Sequence, residues 1–138
     1  MKITGFNHLA IQVRDLEKAR QFYAGVLGFK EQRRHFRLDQ TLRSIWMDLP
    51  QGGFIALEEI AIPPKAIEPF RSEVGGHFLI AFTVSAKDRG HLEAQLRDKR
   101  VIIEHSTEWT LYIRDPEGNR IGLSHFPEAS GSSNETSN

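Results

Sequence analysis

The chain contains no cysteine, which excludes disulfide bonds and thiolate metal sites. Its 18 lysine and arginine residues balance 18 aspartate and glutamate residues, and the formal net charge is +0. Without an excess of one sign, the protein has no general electrostatic attraction to nucleic acid or to an anionic membrane surface. We therefore expect neither of them as a partner.

Long apolar runs are also missing. No stretch approaches the roughly 18 to 20 residues that span a bilayer. The N-terminal sequence MKITGFNHLAIQV has neither a long apolar segment nor a small-residue cleavage site, so no signal peptide is expected. The chain has no glycine-rich phosphate loop, serine elbow or metalloprotease helix motif. These absences predict a soluble, cytoplasmic protein.

The length of 138 residues predicts a single domain with a real core, which we place at residues 1–127. Residues 128–138 carry no large apolar side chain and are expected to be disordered.

Apolar periodicity gives the first half of this domain one strand, one helix and three more strands. Asp15 is the expected N-cap of the helix, and Gly28 is the residue at which the helix ends. A proline-rich segment, residues 61–75, follows as a linker. The predicted strands cover residues 6–13, 30–38, 42–48 and 54–60.

The second half repeats this order. A helix is expected to open at Ser85, with Asp88 completing a near capping box, and to run to about Asp98. The predicted strands cover residues 77–84, 101–105, 109–114 and 120–126. The prediction is an α+β fold of two βαβββ modules, residues 5–60 and 76–126, because a repeated element order constrains a fold more than one element does.

Three segments carry a resemblance to a known family: "NHLAIQVRDLEKARQFYAGVLGF", "GGHFLIAFTV" and "YIRDPEGNRI". In this order and spacing they are similar to the vicinal oxygen chelate superfamily, which includes glyoxalase I, bleomycin resistance proteins and extradiol dioxygenases. The resemblance covers residues 5 to 126. It implies the glyoxalase/bleomycin resistance-like fold, in which curled sheets form a cleft that a homodimer often completes. The unpaired sheet edges also favour a homodimer.

Metal-using members of this family take ligands from corresponding strands of the two modules. The resemblance puts His8 and His77 at two of these positions, but Ala56 and Gly122 at the two where a carboxylate or Gln is expected. Two imidazoles supply neither the ligand number nor the negative charge that a catalytic divalent metal requires. We therefore expect no cofactor, or a weakly bound divalent metal (Zn, Ni, Mn or Fe).

One alternative keeps a metal. Glu58 lies two residues beyond Ala56, on the same face of the predicted strand, because side chains of a strand alternate. His8, His77 and Glu58 would then form a two-histidine, one-carboxylate triad. The opposing interpretation is that Glu58 is a solvated residue near a strand end.

The short side chains at the two missing ligand positions also favour a small-molecule pocket. Short side chains at positions 56 and 122 predict space for a ligand group where the metal and its ligands would be. A small-molecule pocket usually combines apolar walls with a few polar groups. The candidate lining residues are Gln12, Trp46, Ala56, Tyr112 and Gly122.

Two functions follow as hypotheses. The first is a small-molecule-binding protein with a degenerate metal site, which sequesters, senses or confers resistance to its ligand. The second is a divalent-metal-dependent lyase, isomerase or dioxygenase of the glyoxalase type that uses His8, His77 and Glu58. A scaffold without pocket chemistry is the third interpretation, since fold alone does not decide function.

Overall fold

The structure, a computed structural model, describes residues 1–61, 73 and 75–129. Most of the predicted linker, residues 61–75, and most of the predicted disordered tail, residues 128–138, lie outside the described residues. The chain divides into two compact units, residues 1–67 and 68–138. Each unit contains one four-stranded sheet. The predicted βαβββ order occurs once in each unit and is thereby confirmed.

The first unit follows the sequence pattern closely. Its helix α1 (Leu16–Arg20) continues as a π-helix over Gln21–Val26. Its strands are β1 (His8–Val13), β2 (Lys30–Phe36), β3 (Leu42–Asp48) and β4 (Phe54–Glu59). They form sheet one in the order β1-β4-β3-β2, in which only the β1–β4 pair is parallel.

Sheet one has two unlike faces. The helical face is apolar: α1 contacts β3 and β4, and its side chains Leu16 and Ala19 are buried together with alternate residues of three strands. These strand residues are Ile11, Val13, Ile45, Met47, Ile55 and Leu57. Burial of this face stabilises the unit, because apolar burial is worth about 25 cal/mol per Å². The opposite face is therefore free to carry polar and aromatic groups, and we call it the open face.

The start of α1 is fixed by a local contact. The Asp15 side chain accepts a hydrogen bond from the backbone N–H of Lys18, at 3.0 Å, which confirms the predicted N-cap. Gly28, where the helix was predicted to end, has a φ of 76°. Glycine adopts this left-handed conformation without steric cost.

The second unit contains α2 (Arg89–Asp98), which a 3₁₀ turn, Ala86–Asp88, precedes. Its sheet, sheet two, has the order β5-β8-β7-β6, with the same parallel outer pair as sheet one. The strands are β5 (Ile80–Thr83), β6 (His105–Ser106), β7 (Thr110–Arg114) and β8 (Arg120–Ser124). Matching topology in the two sheets agrees with the repeat seen in the sequence.

Three local predictions in this unit are wrong. The strand expected from His77 begins at Ile80, because pairing with β8 begins there. The strand expected over residues 101–105 is reduced to β6, which pairs with β7 through two residues. The Ser85 side chain makes no capping hydrogen bond. Its backbone carbonyl accepts instead from the N–H of Asp88, at 3.0 Å, and the segment opens as a 3₁₀ turn.

The two helix starts give a matched stability prediction. Asp15→Ala should lower the free energy of unfolding by about 1 kcal/mol, because an N–H at the helix start loses its acceptor. Ser85→Ala should change it by less than about 0.5 kcal/mol, because this hydroxyl makes no cap. Urea unfolding followed by circular dichroism measures both. Equal losses in the two variants would contradict the assignment of the caps.

The turn between β7 and β8 is held by the side chain of Asp115. The Asp115 carboxylate, which is buried, accepts hydrogen bonds from the backbone N–H groups of Glu117 and Asn119, at 2.9 and 2.8 Å. The Asn119 side chain adds a third, at 2.9 Å. Gly118 has a φ of 83°, which only glycine adopts at little cost. The turn thereby brings β8 back alongside β7.

Among the described residues, no helix combines the length and the apolar character that crossing a membrane requires.

Candidate functional site

The register of sheet one decides which side chains share its open face. His8 is paired with Phe54, and Gln12 with Glu58, across the β1–β4 pair. Trp46 is paired with Ala56 across the β3–β4 pair. Since paired residues project to the same side of a sheet and side chains alternate along each strand, these six residues lie on one face. The open face thus brings together the predicted residues His8, Gln12, Trp46, Ala56 and Glu58.

Four aromatic rings run across this face, one from each strand. The rings of His8 and Phe54 stack with centroids 4.7 Å apart and an angle of 9° between their planes. Phe54 stacks on Trp46 at 4.4 Å, and Trp46 lies 4.4 Å from His35 in a tilted arrangement. We call these four rings the ring ladder. Neighbouring strands lie about 4.7 to 4.9 Å apart, which matches the stacking distance, so the sheet itself spaces the rings.

Two nitrogens of the ring ladder are buried without a hydrogen-bond partner among the described residues: Nε1 of Trp46 and Nε2 of His35. The indole N–H can only donate. A buried donor left without an acceptor costs about 1 to 3 kcal/mol. An acceptor would remove this cost. The described residues do not supply one to the indole N–H of Trp46.

His8 is the exposed end of the ladder. Its Nδ1 lies 2.6 Å from Oδ1 of Asn7. An amide oxygen only accepts, so this contact is a hydrogen bond in the tautomer that carries its proton on Nδ1. Asn7 therefore orients the imidazole, in the way that outer hydrogen bonds orient ligating histidines.

Neither position 56 nor Glu58 provides a carboxylate beside His8. Ala56 has no donor atom and is 3% exposed. Glu58 is four residues beyond the partner of His8 along β4, a separation of roughly 13 Å at the usual rise of a strand. The Oε1 atom of Glu58 accepts from the Ser44 hydroxyl at 2.8 Å. Glu58 therefore does not substitute for a ligand at position 56.

Tyr112 and Gly122 are paired residues of β7 and β8 and lie on one face of sheet two. The guanidinium carbon of Arg120 lies 4.4 Å from the centre of the Tyr112 ring, within cation–π range. His105 is paired with Tyr112 on the other side, with ring centroids 5.6 Å apart. This face combines an aromatic surface with a cation.

The surroundings of Gly122 are closely packed rather than open. A β-carbon added there would lie 3.2 Å from the γ-methyl of Thr110 and 3.4 Å from side-chain carbons of Ala81 and Leu79. The room expected beside Gly122 is therefore taken by these neighbours. Glycine in this strand permits a close approach of side chains, which is its usual reason for being in a strand.

His77 is exposed and precedes β5, so it does not lie in a strand as the sequence predicted. Within the described ranges, no three His, Asp or Glu side chains are grouped closely enough to hold a metal ion. Ala56 has no donor, Gly122 has no side chain, and Glu58 is remote from His8. The residues present therefore do not fit the metal site that the family resemblance implies.

A cavity of about 400 Å³ lies at the end of sheet one where β3 turns into β4. We call it the turn-end cavity. Its position differs from the predicted pocket, because it adjoins Phe54 rather than Ala56. Its lining comes from two residues before β1, one residue of β2, the last residue of β3, the β3–β4 turn and the first residue of β4. These residues are Phe6, Asn7, Gln32, Asp48, Leu49, Gly52, Gly53 and Phe54.

Sequence reasoning missed Phe54, Gln32 and His35 as site residues. Phe54 was counted only as the first residue of a strand, and the parallel register that stacks it on His8 is a property of the sheet order. The glycines of the β3–β4 turn are the sequence feature that could have indicated this site. Gly53 has a φ of 79°, and a β-carbon there would lie 2.9 Å from the carbonyl oxygen of Asn7. Only glycine lets this turn approach the start of β1.

Comparison with known proteins gives a consistent result. The model of the "Glyoxalase/Bleomycin resistance protein/Dioxygenase superfamily" matches residues 5–123. The catechol-2,3-dioxygenase of Bacillus subtilis (strain 168) is 29% identical over 126 residues, which cover 87% of this chain and 41% of that protein. The chain thus spans about two fifths of the length of this relative.

Solved structures show the same fold. A glyoxylase/bleomycin resistance protein/dioxygenase domain from Frankia sp. EAN1pec has a TM-score of 0.72 and 25% identity, with 92% of this chain and 96% of that chain covered. A mutant of the fosfomycin resistance protein FosX from Listeria monocytogenes, complexed with Mn(II) and 1S,2S-dihydroxypropylphosphonic acid, has a TM-score of 0.70. It is 16% identical, with 90% of this chain and 94% of that chain covered, a level at which the likeness concerns the fold alone.

Proposed function

The chain belongs to the Glyoxalase/Bleomycin resistance protein/Dioxygenase superfamily, and we propose that it is a member that binds a small molecule without a resident catalytic metal. The FosX structure holds a small phosphonic acid together with Mn(II). This chain would keep the binding of a small organic molecule and would have lost the metal. Its role would be to sequester or sense the ligand, or to confer resistance to it.

The open face of sheet one is the observation that carries this proposal. It presents the ring ladder and the exposed amide of Gln12, an apolar surface with a polar group as small-molecule sites have. At position 56, where the family resemblance implies a ligand, it presents a buried alanine.

The homodimer and the cytoplasmic location expected from the sequence stay predictions. Tyr112 and the neighbouring Arg120 would provide a second aromatic surface, on sheet two, for another copy of the ligand.

A thermal-shift screen against a library of metabolites and antibiotics tests the proposal. A ligand present at 100 times its dissociation constant should stabilise the protein by about 2.7 kcal/mol. Gln12→Ala should weaken binding of the hit about fivefold, the equivalent of one hydrogen bond. Gln95, an exposed residue of α2, provides the control, and Gln95→Ala should leave the affinity unchanged. A library that produces no shift, or hits that are insensitive to Gln12, would refute binding at the open face.

A metal-dependent lyase, isomerase or dioxygenase is the second candidate, and one observation favours it. The exposed imidazole of His8 contacts Asn7 through Nδ1, so Nε2 is the nitrogen available to a metal. Such an outer contact is typical of ligating histidines. Under this alternative Glu58 and His77 would be the other ligands. Metal retention by variants at these positions separates the two candidates.

A further inference from the structure

The turn-end cavity contains the carboxylate of Asp48, which can accept more hydrogen bonds than it receives from the described residues. Oδ1 of Asp48 accepts a hydrogen bond from the side-chain amide of Gln32 at 2.6 Å. In the described part of the chain, no second hydrogen bond and no ion pair engages this carboxylate. An ionised carboxylate has about four acceptor positions. Asp48 can therefore accept further hydrogen bonds from a molecule in the cavity.

The cavity also has an aromatic wall. Both faces of the Phe54 ring are covered, one by His8 and the other by Trp46, so the ring has only its edge to offer. Ring edges carry the positive part of the quadrupole and favour the face of another aromatic ring. Phe6 is 64% exposed and lines the same cavity. Together they can hold a flat ring in the T-shaped or offset arrangement that aromatic pairs prefer.

The charges around the cavity favour a cation over an anion. Among the described residues that line it, Asp48 is the only charged one. Lys30 lies across from Asp48 in the β2–β3 register and is exposed. No ion pair joins these two side chains in the described residues, so a ligand can reach the carboxylate without displacing a bonded lysine. Charge-assisted hydrogen bonds are roughly twice as strong as neutral ones.

We propose that the turn-end cavity binds a small molecule that combines a protonated amine with an aromatic ring. The amine donates to Asp48, and the ring packs against Phe6 and the edge of Phe54. The volume of about 400 Å³ lies in the range of small-molecule sites, roughly 300 to 1,000 Å³. This inference rests on the proposed function of binding a small molecule. It adds a site at the Phe54 end of sheet one, roughly 13 Å along β1 from Gln12, and the chemical class of the ligand held there.

A fragment series on the full-length protein tests the charge requirement. Benzylamine, benzyl alcohol and benzoate share one ring and differ in charge. Binding is followed by ¹⁵N NMR at the backbone amides of Gly52 and Gly53 and at the Trp46 indole. Benzylamine should bind about tenfold more tightly than benzyl alcohol, the difference between a charged and a neutral hydrogen bond. Benzoate should bind more weakly than either.

Two substitutions test whether the charge of Asp48 and of Lys30 determines the affinity for benzylamine. Asp48→Asn keeps the shape of the side chain and should reduce the preference for benzylamine over benzyl alcohol to about twofold or less. Lys30→Gln removes the competing cation and should strengthen benzylamine binding. Asp98→Asn, at an exposed carboxylate of α2 in the other unit, is the control and should change neither affinity.

The ring requirement is tested separately. Benzylamine should bind about threefold more tightly than cyclohexylmethylamine, since an aromatic contact adds about 0.5 to 1.5 kcal/mol beyond area burial. Phe6→Leu should remove this difference. Phe36→Leu, a substitution at another exposed phenylalanine of the same unit, should preserve it.

The wild-type series decides the inference even if a variant fails to fold. Equal binding of the amine and the alcohol, tighter binding of benzoate, or no binding of any fragment at millimolar concentration would overturn it. Its failure differs from failure of the proposed function. Benzylamine that leaves the amides of Gly52 and Gly53 unshifted, while library hits still depend on Gln12, would refute the turn-end cavity and retain ligand binding at the open face.

Discussion

Retention of Zn, Ni or Mn by the wild-type protein should stay well below one ion per chain after dialysis, and Ala56→Glu combined with Gly122→Glu should raise it towards about one. The two substitutions return anionic donors to the positions that the family resemblance assigns to ligands beside His8 and His77. The packing around Gly122 requires a third substitution. A β-carbon at position 122 would lie 3.2 Å from the methyl of Thr110, so Thr110→Ser is added. Serine keeps the hydroxyl that donates to Ser124 at 2.9 Å.

Metal content is measured by mass spectrometry of the dialysed protein, with two controls. His8→Ala in the triple variant should abolish the gain, because the metal then loses one of its two imidazole ligands. Glu58→Ala in the wild-type protein should change nothing, since Glu58 is roughly 13 Å along the strand from the partner of His8 and bonds to Ser44. Stoichiometric metal in the wild-type protein that Glu58→Ala releases would instead establish the His8, His77 and Glu58 triad and its enzyme.

Leu57→Ala should lower the free energy of unfolding by about 3 kcal/mol and the melting temperature by about 10 °C. Leu57 is 0% exposed and is paired with Ile11 on one side and Ile45 on the other. Its removal leaves a cavity under α1 on the apolar face of sheet one. Calorimetry with urea titration measures both quantities.

Leu38→Ala is the matched control for this core prediction. Leu38 is fully exposed, and the same chemical change there should alter stability by less than about 0.5 kcal/mol. A small effect of Leu57→Ala, or equal effects of the two variants, would contradict the assignment of the core to the helical face. It would then also remove the reason for treating the other face as open.

The ring ladder gives the open face of sheet one an ordered row of aromatic side chains. Its rings are held at both ends by the edge strands β1 and β2, and the sheet spaces them. Aromatic pairs of this kind add about 0.5 to 1.5 kcal/mol each.

Local chemistry was sufficient for the element order. Asp15 caps the helix through a contact three residues away, and Asp115 holds the β7–β8 turn through contacts with Glu117 and Asn119. Such interactions join neighbours in the chain, so the sequence displays them directly. The failures are local as well: Ser85 has the composition of a cap, yet a backbone hydrogen bond from Asp88 takes the place of the side-chain contact.

The sequence by itself determined the two βαβββ modules, the alternation that puts Gln12 and His8 on one strand face, and the lack of ligand atoms at positions 56 and 122. Only the tertiary structure decided what surrounds them. The stacking of Phe54 on His8, the distance between His8 and Glu58, the closure around Gly122 and the turn-end cavity all depend on strand register. Register joins residues that are 46 positions apart, and period-two alternation fixes which face a side chain takes but not which partner it meets across the sheet.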